Sequence, residues 1–173
     1  MFNRTTVIIV STVLALTGCS GSSDEAPATS QPSDSAPAST GTPVNVEVTG
    51  EPGTEPVVAI TPGDPVAELQ ITDVFVGSGD AVPAGATVTA HYVGYGAATG
   101  QMFDSSWIRG EPATFPLANV ILGWQEGLVG MQVGGRRLLV IPAELGYGNN
   151  PPPNSGIEAG ETLIFVVDLV SFE

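Results

Sequence analysis

The run Gln101-Met102-Phe103-Asp104-Ser105-Ser106-Trp107 sets a carboxylate between an aromatic of the kind usually buried and two hydroxyls, and Arg109 follows Asp104 by five residues. Farther along, Gly123-Trp124-Gln125-Glu126-Gly127 carries a large flat ring in a glycine-flanked segment. Together the two runs suggest an aromatic-walled cleft with one fixed polar group inside it. Asp104 is costly to bury without partners, and Arg109 is the nearest cation that can form a charge-assisted pair with it. Nothing else resembles catalytic equipment. One Cys and one His exclude an internal disulfide, most metal sites, and any Ser-His-Asp or Cys-His machinery that needs its own second member. His91 has no nucleophile-elbow pattern beside it, so neither a metal nor a cofactor is expected.

The elements that must position these residues are mostly strands. Leu69, Ile71, Val74 and Val76 fit one strand, ending at Gly77-Ser78-Gly79-Asp80. Val88, Ala90, Tyr92 and Gly94 alternate against Thr87, Thr89, His91 and Val93 in the next, which turns His91 away from Tyr92. Gln101 to Ser105 returns after a turn, Thr114 to Leu117 is a short extended piece, and Arg136 to Ile141 and Thr162 to Ser171 are clear β runs. Only Ile121, Trp124 and Leu128 recur at helical spacing, and Gly123, Gly127 and Gly130 keep that helix short. The sum predicts an α+β fold in which an antiparallel sheet carries one short helix against a face. Asn149 to Gly160, with three prolines, reads as a loop. Trp124 is then a floor that Tyr92, Phe103 and Phe165 can face, and Tyr147 can point its hydroxyl inward. Arg136-Arg137 reads as a solvated edge without a role.

The N-terminus reads as a targeting segment: Arg4 precedes an apolar run from Val7 to Leu16 that is short for a bilayer span and ends in small residues. Leu16-Thr17-Gly18-Cys19 resembles a bacterial lipobox, in which the Cys becomes the first mature residue and carries a lipid; that resemblance implies a signal peptide over 1–18 and a membrane anchor at Cys19. Ser20 to Glu55 has no aromatic and is rich in Ser, Pro, Thr, Gly and Ala, a composition that cannot bury enough apolar surface to order itself. Residues 19–66 are therefore expected to be a disordered linker, Val44 to Val48 included despite their alternation, with the folded domain over 67–173. Without Arg4, three arginines face 18 acids and no lysine, a charge of −15. Nucleic acid and anionic lipid headgroups are repelled by such a surface.

Taken in order, Ala90-His91-Tyr92-Val93-Gly94, Phe103-Asp104-Ser105-Ser106, Val120-Ile121-Leu122-Gly123-Trp124-Gln125-Glu126-Gly127, Gly134-Gly135-Arg136-Arg137, Ile141-Pro142, Tyr147-Gly148 and Thr162-Leu163-Ile164-Phe165 closely resemble an FKBP-type peptidyl-prolyl cis-trans isomerase over about residues 67 to 173. The resemblance implies a twisted antiparallel sheet wrapped around one short helix. It implies isomerisation of Xaa-Pro bonds, here in exported proteins, by non-covalent stabilisation of a twisted amide. It casts Trp124 as pocket floor and Tyr92, Phe103, Val120, Ile121 and Phe165 as walls. Asp104 becomes a buried carboxylate oriented by Arg109 and the Tyr92 hydroxyl. The Ile121 N–H and the Tyr147 hydroxyl become donors to a bound peptide or to a macrolide such as rapamycin, and Ile157 an apolar residue of the loop over the pocket. The family often has an aromatic where Ala113 stands, so one wall is thinner here. The thin wall motivates an alternative, a chaperone-like module that grips prolyl or apolar segments with little isomerase activity.

Overall fold

The computed structural model describes residues 42–173; the expected signal peptide, Cys19 and residues 20–41 lie outside the described residues. Along the described chain run strands β1 (Asn45–Thr49), β2 (Val57–Thr61), β3 (Gln70–Phe75), β4 (Thr87–Gly96) and β5 (Met102–Ser105). A one-turn helix α1 (Ser106–Arg109), strand β6 (Ala113–Pro116), helix α2 (Leu122–Gly127) and strands β7 (Arg136–Ile141) and β8 (Leu163–Phe172) follow, with 3-10 turns at Leu117–Asn119 and Ala143–Leu145. The main sheet is antiparallel in the order β3-β7-β8-β4-β5, with β6 pairing the first half of β4. Strands β4 and β8 are its spine, in register from Val88↔Phe172 to Gly96↔Leu163 with one bulge between Thr89 and Ala90.

The period-2 alternation sorts the spine into two faces. The front face buries Tyr92, Leu139, Ile141, Phe165 and Val167 against Trp124 and Leu128 of the α2 segment. Each fully buried aliphatic of this kind contributes about 1.5–3 kcal/mol. Helix α2 lies very close to β7: a Cβ on Gly123 would run into the Ile141 side chain, and one on Gly127 into Leu139. These glycines thus do more than shorten the helix. They let its backbone approach the sheet and seat Trp124.

Three expectations need correcting. Residues 43–66 are not a disordered linker. Strands β1 and β2 form a hairpin in register Val46↔Ile60 and Val48↔Val58, and its apolar side chains lie on the back face of the sheet, over Val93, Leu138, Val140, Ile164 and Val166. Composition judged the segment alone, whereas the apolar surface that orders it is supplied by strands far along the chain. Second, a single-turn helix, α1, accompanies the expected one; it ends at Gly110, whose φ of 76° is left-handed. Third, Arg136-Arg137 is no solvated edge: Arg136 is 0 % and Arg137 7 % exposed. Arg136 points to the back face and pairs with Asp168 at 2.6 Å. Arg137 points forward, donates to the Asp73 carboxylate at 2.6 Å and to the Gly127 carbonyl at 2.7 Å, and so holds the C-terminus of α2.

Candidate active site

On the front face a cavity of about 310 Å³ opens between α2, β4, β5, β6 and β8. Of the residues expected there, Tyr92, Phe103, Asp104, Val120, Ile121, Trp124, Tyr147 and Phe165 line it. Their positions follow from the elements. Tyr92 and Phe165 take front positions on the spine, Phe103 stands on the neighbouring strand, and Val120 and Ile121 lead into α2, with Ile121 as its N-cap. Arg109 and Ile157 are not on the lining. Arg109 stands behind Tyr92 and Asp104, while Ile157 is half-buried and packs against the front core. Two lining residues were missed: Phe115 and Asn119. The signal for Phe115 was its alternation with Ala113 on β6, which puts both on the front-core side; Asn119 offered only its adjacency to Val120.

The aromatic rings around Trp124, and the Phe103–Phe165 pair, pack nearly perpendicular. Trp124 meets Tyr92 at 5.4 Å and 87°, Phe165 at 5.3 Å and 87°, and Phe115 at 5.6 Å and 80° between centroids. Phe103 meets Phe165 at 5.5 Å and 83°. Edge-to-face contacts of this type add about 0.5–1.5 kcal/mol each beyond area burial and fix ring orientation. Phe115 also meets Tyr92 at 5.7 Å, so the wall left thin by Ala113 is made by the ring two residues on.

The polar part of the site is a closed triad. The Tyr92 hydroxyl donates to Asp104 Oδ2 at 2.5 Å, Arg109 Nη1 donates to Asp104 Oδ1 at 2.6 Å, and Arg109 Nη2 donates to the Tyr92 oxygen at 2.8 Å. The guanidinium also sits 5.4 Å from the centre of the Tyr92 ring. The partners expected for Asp104 are therefore in place, but its burial is not: the side chain is 42 % exposed, because β5 closes the end of the sheet and leaves one side open to water. Partial desolvation pulls the Asp104 carboxyl up, yet the Tyr92 hydroxyl and the Arg109 guanidinium outweigh it and hold its pKa below the ordinary 3.8. Burial, and then the hydrogen bond to anionic Asp104, push the Tyr92 phenol up to about 12. Burial and the nearby Asp104 charge also raise the Tyr147 phenol. Near neutral pH, then, Asp104 stays ionised while Tyr92 and Tyr147 stay neutral, so none of the three is tuned for general acid–base work.

A second set of bonds fixes the Tyr92 backbone. Ser106, fully buried, accepts the Tyr92 N–H at 2.8 Å and donates to the Tyr92 carbonyl at 3.2 Å. His91 lies beside the same hydroxyl at 3.1 Å and stacks on Trp107 at 4.0 Å, outside the cavity lining. Around the cavity, the Ile121 N–H, the Tyr147 hydroxyl and the Trp124 indole N–H have no acceptor among the described residues. An apolar cleft with unpaired donors suits a ligand that combines an apolar ring with carbonyl oxygens.

Comparison with known proteins agrees with this chemistry. Residues 79–170, more than half of the chain, match the family model described as FKBP-type peptidyl-prolyl cis-trans isomerase. An FK506-binding protein of Streptomyces anulatus is 50 % identical over 119 residues, covering 68 % of this chain and 96 % of its own. A probable FK506-binding protein of Corynebacterium glutamicum is 47 % identical over 118 residues, covering 68 % of this chain and 98 % of its own. Among solved structures, FkpA from Escherichia coli superposes with a TM-score of 0.56 at 42 % identity, over 61 % of this chain and 48 % of that one.

Proposed function

The chain belongs to the FKBP-type peptidyl-prolyl cis-trans isomerases, and from that premise we propose that it serves exported proteins from a lipid anchor outside the cytoplasm. It is a peptidyl-prolyl cis-trans isomerase, and its partners are proline-containing polypeptides, with FK506-like molecules as ligands of the family. The observation that carries the site assignment is the perpendicular aromatic box around Trp124 with the Tyr92–Asp104–Arg109 triad at its side.

Rotation about the prolyl C–N bond meets a barrier of about 18–20 kcal/mol because the bond has partial double-bond character. The planar amide is more dipolar than the twisted one. Moving it from water onto Trp124, between Phe103 and Phe165, raises the planar form relative to the twisted form. Val120 and Ile121 complete the walls around the ring, while Ile157, off the lining, packs against the front core from the adjacent loop. Ile121 donates its N–H, and Tyr147 its hydroxyl, to peptide carbonyls, fixing the chain while the amide turns. Asp104 remains a fixed charge that holds Tyr92 and Arg109 in place and shapes the field at the twisting bond. Each tenfold in rate needs only about 1.4 kcal/mol of such differential binding. Rapamycin would occupy the same box, with the two donors on its carbonyls.

The location rests on Leu16-Thr17-Gly18-Cys19: cleavage before Cys19 leaves a lipidated N-terminus, and the residues up to Thr42 tether the domain. Two measurements test these readings. The purified protein is assayed on a proline tetrapeptide with chymotrypsin cleaving the trans form, where a rate equal to the spontaneous one would refute isomerase action. If aggregation of a client is still suppressed in that case, the chaperone-like alternative takes its place. Cys19→Ala should move the protein out of the membrane fraction, and unchanged fractionation would refute the anchor.

A further inference from the structure

Arg136 is completely buried on the face of the sheet away from the pocket, and every bond it makes there serves the hairpin or its catch. Its Nε and Nη2 donate to the two Asp168 oxygens at 2.6 and 2.8 Å, Nη1 donates to the Gly50 carbonyl at 2.7 Å, and Nη2 donates also to the Thr54 carbonyl at 2.5 Å. Asp168 in turn accepts the Gly53 N–H at 2.7 Å. The buried ion pair is thus fastened to three residues of the loop joining β1 to β2, and that hairpin lies outside the stretch, 79–170, that matches the family model.

The hairpin backs the strands that carry the pocket. Because strand residues alternate in facing, the back-face contacts on β4 and β8 neighbour pocket residues: Val93 adjoins Tyr92, and Ile164 and Val166 flank Phe165. Tyr92 pairs across the ladder with Val167, and His91 with Asp168 itself. With α2 against the front and β1–β2 against the back, the β4–β8 ladder is held from both sides.

We infer that the β1–β2 hairpin, caught by Arg136 and Asp168, is a positioning element for the isomerase pocket, and that it sets the orientation of Tyr92 and Phe165 through the shared strands. The inference rests on the isomerase reading above. Shared strands are a physical link between the sites, and demonstrated coupling is what the experiment must supply.

Two full-length variants test it. Arg136→Met removes the catch, and Val58→Asp disturbs the inner face of the hairpin while leaving the buried pair intact. Hydrogen exchange is followed over 44–61 and over 87–96, with kcat and KM measured at a temperature where circular dichroism shows each variant folded. Expected is an acceleration of exchange of about tenfold or more over 44–61 with 87–96 still protected, together with a loss of about three- to tenfold in kcat and little change in KM. An open hairpin with wild-type kcat and KM would overturn the inference, as would a hairpin that stays closed in both variants. A hairpin that merely supports stability would leave kcat unchanged below the melting transition. An inactive wild type would defeat the isomerase reading itself, whereas an active wild type with equally active open-hairpin variants defeats this inference alone.

Discussion

Asp104→Leu separates the energetic and catalytic parts of the triad. The substitution keeps the side chain close in size and removes a carboxylate that takes one bond from Arg109 and one from the Tyr92 hydroxyl. With side chains 44 % and 42 % exposed, the Arg109–Asp104 pair is screened by solvent, so its loss costs about 1 kcal/mol or less. The Tyr92 hydroxyl loses a charged acceptor worth about 1.5–3 kcal/mol in full burial, and water reaching the open side of β5 restores part of that. The net destabilisation is about 1–2 kcal/mol, or a fall in Tm of roughly 3–8 °C for a domain of this size. If Asp104 fixes Tyr92 and the field at the twisting amide, kcat/KM falls further in proportion, by about ten- to hundredfold, which is 1.4–2.7 kcal/mol in the transition state. The peptide assay and a thermal melt on the same protein read both numbers. The pH profile supplies a third reading. The folded pKa of Asp104 lies below its ordinary 3.8, so its contribution is complete above that value and is lost as pH falls through the folded pKa. Wild-type activity should therefore be flat across neutral pH and turn down only in strong acid, and Asp104→Leu should lack that acid limb. A rate within about twofold of wild type would reduce the triad to a surface ion pair. A fall in Tm beyond about 15 °C would make Asp104 a structural residue instead.

Other outcomes follow from the same geometry. Arg136→Met leaves Asp168 charged and buried without its partner, a change that costs about 3–5 kcal/mol and should lower Tm by roughly 10–20 °C; a change of only a few degrees in the melt would return Arg136 to the solvated edge. Gly123→Ala drives a methyl into Ile141 and should cost about 1–3 kcal/mol while lifting Trp124 from its seat, so ligand binding weakens along with Tm; an unshifted melt would refute the close approach. Tyr92, raised to about 12 from 10.0, contributes stability that is complete below pH 10 and lost as pH rises through 12, so melts should hold constant up to the ordinary phenol range and fall beyond it. Tyr92→Phe should make that alkaline limb shallower, leaving the part that the raised Tyr95 and Tyr147 phenols contribute.

Much of the site was legible because its signals are local. Ile121, Trp124 and Leu128 at helical spacing gave α2, and alternation in β4 put Tyr92 and His91 on opposite faces, as they are. The nearness of Arg109 to Asp104 pointed to that ion pair, and the family resemblance implied the Tyr92 hydroxyl as the second partner. Burial of Asp104 was misjudged because burial depends on strand order, and β5 closes one end of the sheet. Phe115 was passed over because a strand aromatic acquires a role only when its neighbours are known; here they are Tyr92 and Trp124, met across the fold.

The amino-acid sequence by itself determined the family, the order of the strands from β3 onward, the helix under the pocket and the residue types a prolyl ring needs around it, because period, turn residues and motif order are properties of neighbouring positions. Only the tertiary structure decided the fate of residues 43–66 and of Arg136. Val46, Val48, Val58 and Ile60 have no reason to order themselves in isolation, and Arg136 looks like any exposed charge until Asp168, 32 residues on, and the carbonyls of Gly50 and Thr54, more than 80 residues back, surround it. The apolar back of a sheet and the acceptors for a buried guanidinium are assembled from distant segments, so burial and charge pairing become properties of the chain only once it has folded.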